Sequence, residues 1–237
     1  MRNWAIDPLG DAALLIRFGE GIDEGVNRMV QAAASRLEAE PFPGYLECVP
    51  SFGTIAVYYD PVELNRPREA GTAFEYVGSL IGKLLQDLGA NAGTERETIE
   101  IPVCYGGEFG PDLAYVAEFN GLDEAEVVNI HTGRDYLVFA LGFAPGFPYL
   151  GGMSDRISAP RKATPRLSIP AGSVGIAGTQ TGIYPLETPG GWQIIGRTPL
   201  ALFRPEQEPP VLLRSGQYIR FRAVSASEYD KLAGGRE

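Results

Sequence analysis

From Ser168 onward the chain is cut into short apolar runs: "SVGIAG", "GIYPLE", "GWQIIG", "LALF" and "YIRFRAV" (218–224). Turn residues separate them at intervals of roughly eight to twelve residues. Helices cannot use that spacing, and a β-sandwich or barrel can. Composition agrees. With 30 Gly and 19 Pro in 237 residues but 44% hydrophobic content, the excess of turn formers predicts tight turns rather than disorder.

The first ninety or so residues have a different grammar. "AALLIRF" (12–18) reads as a strand. "DEGVNRMVQAAASRLEA" (23–39) reads as a helix, with Asp23 as cap and Val26, Met29, Val30, Ala33 and Leu37 on one face. "YLECV" (45–49) and "TIAVYY" (54–59) are strands about a short turn. A second helix is expected over 67–89, stopped by Gly89, and a strand over 97–105. The order βαββαβ predicts a ferredoxin-like sheet, unless strand 97–105 opens a second domain. The small, polar "GANAGTERE" (89–97) is the natural boundary, giving domains 1–92 and 93–237.

Several function classes are disfavoured. A net charge of −10 and a pI near 4.7 repel phosphate backbones, so nucleic acid is not an expected partner. Cys48 and Cys104 stand apart in apolar runs and read as reduced core thiols. With no Cys/His cluster, no metal site is expected. The chain shows neither a signal-peptide core nor an apolar stretch of about 18 residues, so a cytoplasmic protein without membrane contact is expected. A Walker-type phosphate loop and a nucleophile elbow are both missing.

The candidate site residues fall in three stretches. "GFAPGFPYLGG" (142–152) follows the buried strand "YLVFALGF" (136–143) and is too apolar for a solvated linker. It reads either as the rim of an aromatic-walled pocket or as a plug closing a barrel. A cis bond before Pro145 or Pro148 is considered. "PRKATPR" (160–166) gathers Arg161, Lys162 and Arg166: either each Arg forks onto a ligand carboxylate or phosphate, or the stretch is a solvated or salt-bridged surface turn. "SIPAGSVGIAGTQTGIYPLETPGGW" (168–192) offers Gln180, Tyr184 and Trp192 to orient a small polar substrate. His131 is the only histidine, either a structural hydrogen-bonder or a proton-transfer group. These residues alone describe a polar small-molecule pocket in a β domain, with no reaction named.

The assembled motifs, "H…Y.V…GF.PGFPYL…PR…PR…PAGSVGI.G.QTG.YPL.TPGGW..IG.T…LF", resemble the family called allophanate hydrolase subunit 1 or KipI, in particular its ATP-dependent 5-oxoprolinase branch. The strong match runs from about Glu100 to Phe221, and "DPLGDAALLIRF" extends it weakly to the start. Lys162 and Gln217 stand where relatives often carry Arg and Asp. The resemblance implies an α+β protein, a ferredoxin-like α/β domain followed by a cyclophilin-like β-barrel. It also implies work in a complex with a KipA-like C component and an A component of the lactam-utilisation family, opening 5-oxoproline to L-glutamate while hydrolysing ATP. For such chemistry Arg161 and Arg166 suit the anionic groups, Gln180 and Tyr184 suit the amide, and His131 suits proton transfer. Phe147 and Tyr149 then line the rim and Phe143 points into the core. Two other readings are a KipI-type inhibitor of a sensor histidine kinase and a carboxyltransferase component of urea or allophanate metabolism.

Overall fold

The computed structural model of the chain describes residues 4–86 and 98–234 and divides into two units, Met1–Glu95 and Arg96–Glu237. The expected boundary segment 89–97, with Gly89, lies outside the described residues. The first unit holds β1 (Ala5–Pro8), β2 (Ala13–Arg17), α1 (Glu24–Ala39), β3 (Tyr45–Pro50), β4 (Thr54–Tyr59) and α2 (Ala73–Leu84). Its four strands form one antiparallel sheet in the order β1-β2-β4-β3. Val30, Ala33, Leu37, Val77 and Ile81 of the helices pack with Leu14, Ile16, Ile55, Val57 and Tyr59 of the sheet. Each large apolar side chain buried there contributes about 1.5–3 kcal/mol by leaving water.

One open reading for this unit is resolved and one expectation is corrected. Strand 97–105 is not its last strand: β5 (Thr98–Tyr105) belongs to the second unit, and β1 fills the sheet edge beside β2 instead. A four-residue strand with one half-buried apolar side chain, Ile6, leaves little periodic signal. The second helix begins at Ala73 rather than near 67. Gly71 takes φ 73°, and Thr72 and Glu75 then form a capping box, with Thr72 N–H donating to Glu75 Oε2 at 2.7 Å.

The second unit continues with α3 (Leu113–Asn120), α4 (Glu124–Thr132), β6 (Asp135–Leu141), β7 (Pro148–Gly151), β8 (Arg166–Ile169), β9 (Ser173–Ala177), β10 (Gln180–Ile183), β11 (Thr188–Gly190), β12 (Gln193–Arg197), β13 (Tyr218–Ala223) and α5 (Ala226–Gly234). Seven strands close into a barrel in the order β10-β7-β6-β13-β5-β12-β9. Only β13 and β5 run parallel among these neighbours. Closure removes the exposed edges that so many short strands would otherwise carry. Every barrel strand sends at least one side chain into a single core, including Val103, Val138, Leu150, Ile176, Ile183, Ile195 and Ile219. Helices α3 and α4 add Leu113, Val116, Ala117 and Val127 to it. β8 and β11 pair separately as a two-stranded ribbon.

Candidate functional site

Strand β10 separates two environments because successive side chains point to opposite faces. Thr181 and Ile183 face the barrel core, and Gln180 and Gly182 face outward. Gly182 is needed for what lies there. A Cβ on it would stand 3.0 Å from Phe147 Cζ and 3.2 Å from Trp192 Cζ3. Phe147, Tyr184 and Trp192 form a second buried cluster with Ile169, Ala177 and Ile194, and Tyr149 packs on it half-buried. Phe147 is the hub, with ring centroids 5.1 Å from Tyr149, 5.4 Å from Tyr184 and 5.7 Å from Trp192, all edge-on. Such pairs add about 0.5–1.5 kcal/mol each beyond area burial.

The loop 142–152 supplies this hub, but not with the orientation expected. Phe143 has φ 67°, an unusual state for a residue with a Cβ, and is 66% exposed. Phe147, expected on the rim, is 2% exposed. The reason is the turn itself. Gly142 N–H donates to Phe147 O and Phe147 N–H to Ala144 O, closing a tight loop that swings Phe143 out and Phe147 under. Among the described residues the one cis bond is Glu208–Pro209, so neither Pro145 nor Pro148 follows one.

Next to the aromatic cluster lies the segment 160–166. Gln193 Nε2 donates to Pro160 O at 2.8 Å, and Lys162 N–H donates to Gly191 O at 2.7 Å. Arg161 is held between these two anchors. Its side chain is exposed and makes no hydrogen bond or ion pair among the described residues. Gly190, beside the second anchor, abuts the Tyr184 hydroxyl: a Cβ on it would lie 2.4 Å from that oxygen. Burial pushes the Tyr184 phenol up to about 12, against the opposing pull of Arg161. Tyr184 is therefore a neutral donor at physiological pH.

Arg166 and Lys162 are bonded to a carboxylate, although Arg166 stays within electrostatic range of the Tyr184 phenol. Both bind Asp112, a residue that the sequence pattern did not single out. Arg166 makes a two-pronged contact at 2.7 and 2.8 Å, and Lys162 Nζ adds one at 3.1 Å. Ile194 N–H donates to the same carboxylate at 2.7 Å. Burial works to raise the Asp112 carboxyl, but the donors from Arg166, Ile194 and Lys162 outweigh it and hold it below its ordinary range. The only sequence hint was that three cations so close together need a counter-charge. Nothing said which of 30 acidic residues supplies it.

His131 is not brought to this cluster. It sits on α4 and is fully buried on the inner side of β10. Thr181 donates its hydroxyl proton to Gly175 O at 3.0 Å, so it accepts from His131 Nε2 at 3.0 Å. Nδ1 must then accept from the Tyr105 hydroxyl at 2.8 Å. Burial drives the imidazole down to about 3, which keeps it neutral. Its ring also stacks on Phe221 with centroids 4.4 Å apart. Both nitrogens are satisfied, and a general acid or base must reach the proton that it moves. This geometry suits a core brace. Gln180, in contrast, starts β10 on the outer face, half-buried, and its side chain makes no hydrogen bond among the described residues.

The outer face therefore carries, in Arg161 and Gln180, a guanidinium and an amide without a hydrogen bond among the described residues, while the neutral Tyr184 phenol is 2% exposed and accepts from the Trp192 backbone N–H. The chemistry of such groups suits a small molecule with one anionic group and one amide-like group.

Known proteins are similar to this chain over most of its length. The family model of the carboxyltransferase domain, subdomain C and D, matches residues 4–213. The 5-oxoprolinase B subunit of Bacillus subtilis is 54% identical over 96% of this chain and 95% of its own length. The 5-oxoprolinase B subunit of Escherichia coli O157:H7 is 41% identical over 90% of this chain and 93% of its own. Among solved structures, TTHA0988 superposes with a TM-score of 0.76 at 38% identity, covering 90% of this chain but 40% of that longer one.

Proposed function

Since the chain belongs to the carboxyltransferase subdomain C and D family, the one that includes the 5-oxoprolinase B subunits, we propose that it is the B component of an ATP-hydrolysing 5-oxoprolinase, a cytoplasmic complex that opens 5-oxo-L-proline to L-glutamate. Its partners in this reading are a KipA-like C component and an A component of the lactam-utilisation family. The two units then correspond to a ferredoxin-like domain and a cyclophilin-like barrel, divided near residues 92–93.

The observation that carries the reading is Arg161, an unpaired cation fixed by two backbone anchors beside Tyr184. 5-Oxoproline has one carboxylate and one lactam. Arg161 suits the carboxylate, because a guanidinium matches two carboxylate oxygens at once. The Tyr184 hydroxyl and the Gln180 amide suit the lactam. Tyr149, half-buried, presents an apolar surface to the ring, with Phe147 and Trp192 packed behind it.

A lactam is a poor electrophile, and ATP supplies the phosphoryl group that activates its oxygen. The residues present do not fit a triphosphate. Arg166 and Lys162 are turned onto Asp112, leaving Arg161 as the free cation of this cluster. In this reading the chain binds and orients the lactam, and the nucleotide is held by a partner protein.

The test is reconstitution. The chain mixed with its A and C partners should form ADP and glutamate in step, while the chain alone should not. Arg161→Gln in the complex should raise KM for 5-oxoproline roughly 30–150-fold, the loss of one charge-assisted contact of about 2–3 kcal/mol. Turnover by the isolated chain, or an unchanged KM in Arg161→Gln, would overturn the proposal.

A further inference from the structure

Three cations within 161–166 would repel one another and compete for the same carboxylate ligand. Asp112 prevents this. Its position is set by β12 from two directions: Asp112 N–H donates to Ile194 O at 2.8 Å, and Ile194 N–H returns a bond to its carboxylate at 2.7 Å. The Asp112 side chain is 7% exposed, while those of Lys162 and Arg166 are 30% and 28% exposed. The carboxylate is thus the fixed point, and the two longer cationic side chains come to it. The segment 191–193 that leads into β12 also holds both ends of the Arg161 backbone. One element therefore sets both the cations that are withdrawn and the one that is presented.

We propose that Asp112 is a positioning residue for substrate: by bonding Arg166 and Lys162 to itself, it leaves Arg161 as the one cation of 161–166 without a bonded partner, available to a monocarboxylate ligand at Tyr184. The proposal rests on the assignment of Arg161 as the carboxylate-binding residue. Without the clamp, Arg166 and Lys162 are free to move into the space beside Arg161. Their charges then disperse the ligand carboxylate among several geometries, and the two-pronged contact with Arg161 is lost. The clamp acts on binding through Arg161 and touches no reacting atom.

The experiment is a double-mutant cycle in the reconstituted complex, with kcat and KM for 5-oxoproline measured for Asp112→Asn, Arg161→Gln and the pair. Asp112→Asn should raise KM about tenfold and change kcat far less. In the Arg161→Gln background it should add nothing further to KM, because the residue through which it acts is gone. Should Asp112→Asn fail to assemble, Arg166→Gln is measured instead: it removes a withdrawn cation while Lys162 stays on Asp112, so KM should stay near wild type, and a tenfold rise would overturn the inference. Additive KM effects, or a fall in kcat with KM unchanged, would show a purely structural Asp112 and sink the inference while leaving the Arg161 assignment intact. A wild-type KM in Arg161→Gln alone removes that assignment, and this inference with it.

Discussion

Thr181 and Gly182 are neighbours in β10, yet the polar groups on their two sides differ: the outer side carries, besides the paired Asp112, Lys162 and Arg166, two without a hydrogen bond among the described residues. On the inner side, Tyr105, His131, Thr181 and Gly175 form a closed chain in which each donor has an acceptor. On the outer side, Arg161 and Gln180 have polar side chains with no hydrogen bond among the described residues. Burial explains the inner state, since a polar group cut off from water costs roughly 1–3 kcal/mol if left unpaired. The outer groups can be met by solvent or by a ligand, so they are free to be unpaired. A polar residue that is fully satisfied inside a core points to architecture, and an exposed one on an anchored backbone without a bonding partner points to binding.

The largest effect that could break this contrast is expected from Trp192→Ala. Removing a buried indole should cost about 3–5 kcal/mol, read as a drop in the urea unfolding midpoint of the second unit. An outer cluster that served binding alone, with no share in packing, would leave that midpoint in place.

A smaller effect sharpens the inner side. His131→Gln should lower stability by about 1–3 kcal/mol while turnover per assembled complex stays near wild type. A fall of roughly 10²–10⁴-fold per assembled complex would make His131 a proton-transfer group after all. The pH dependence gives a second readout. The folded imidazole is depressed to about 3 against an ordinary 6.5. Between those values the unfolded chain binds a proton that the folded chain excludes, so stability falls as pH falls. From pH 7 to pH 5 this component amounts to about 2 kcal/mol. It should be present in wild type and missing in His131→Gln, which comparison of the two denaturation series against pH would reveal.

The smallest effect concerns Gln180→Ala. Half-buried and without a bonding partner, Gln180 should alter stability by less than about 0.5 kcal/mol. If it meets the lactam, KM for 5-oxoproline should still rise several-fold. A shift in unfolding midpoint with no change in KM would move Gln180 from the binding side of the contrast to the structural one.

Much of the architecture is written in local pattern. The turn spacing after Ser168 announces short strands, and the stripe of α1 with Asp23 as its cap is readable residue by residue. The Arg161 and Arg166 pair and the Tyr184–Trp192 stretch stand out because charge, turns and aromatics cluster there in an acidic chain. These signals are local, so sequence alone carries them. Other features depend on which distant segments meet. β5 pairs with β13 across more than a hundred residues, and that pairing, not the helix before it, takes the strand out of the first unit. The faces of β10 are fixed only when His131 docks against Thr181, which is what puts the imidazole behind the wall from the arginines. Asp112 meets Arg166 from 54 positions away. Charge has no sequence range, and any of the acidic residues could have filled that role. Only the closed barrel, by bringing the start of α3 onto β12, decides which one does.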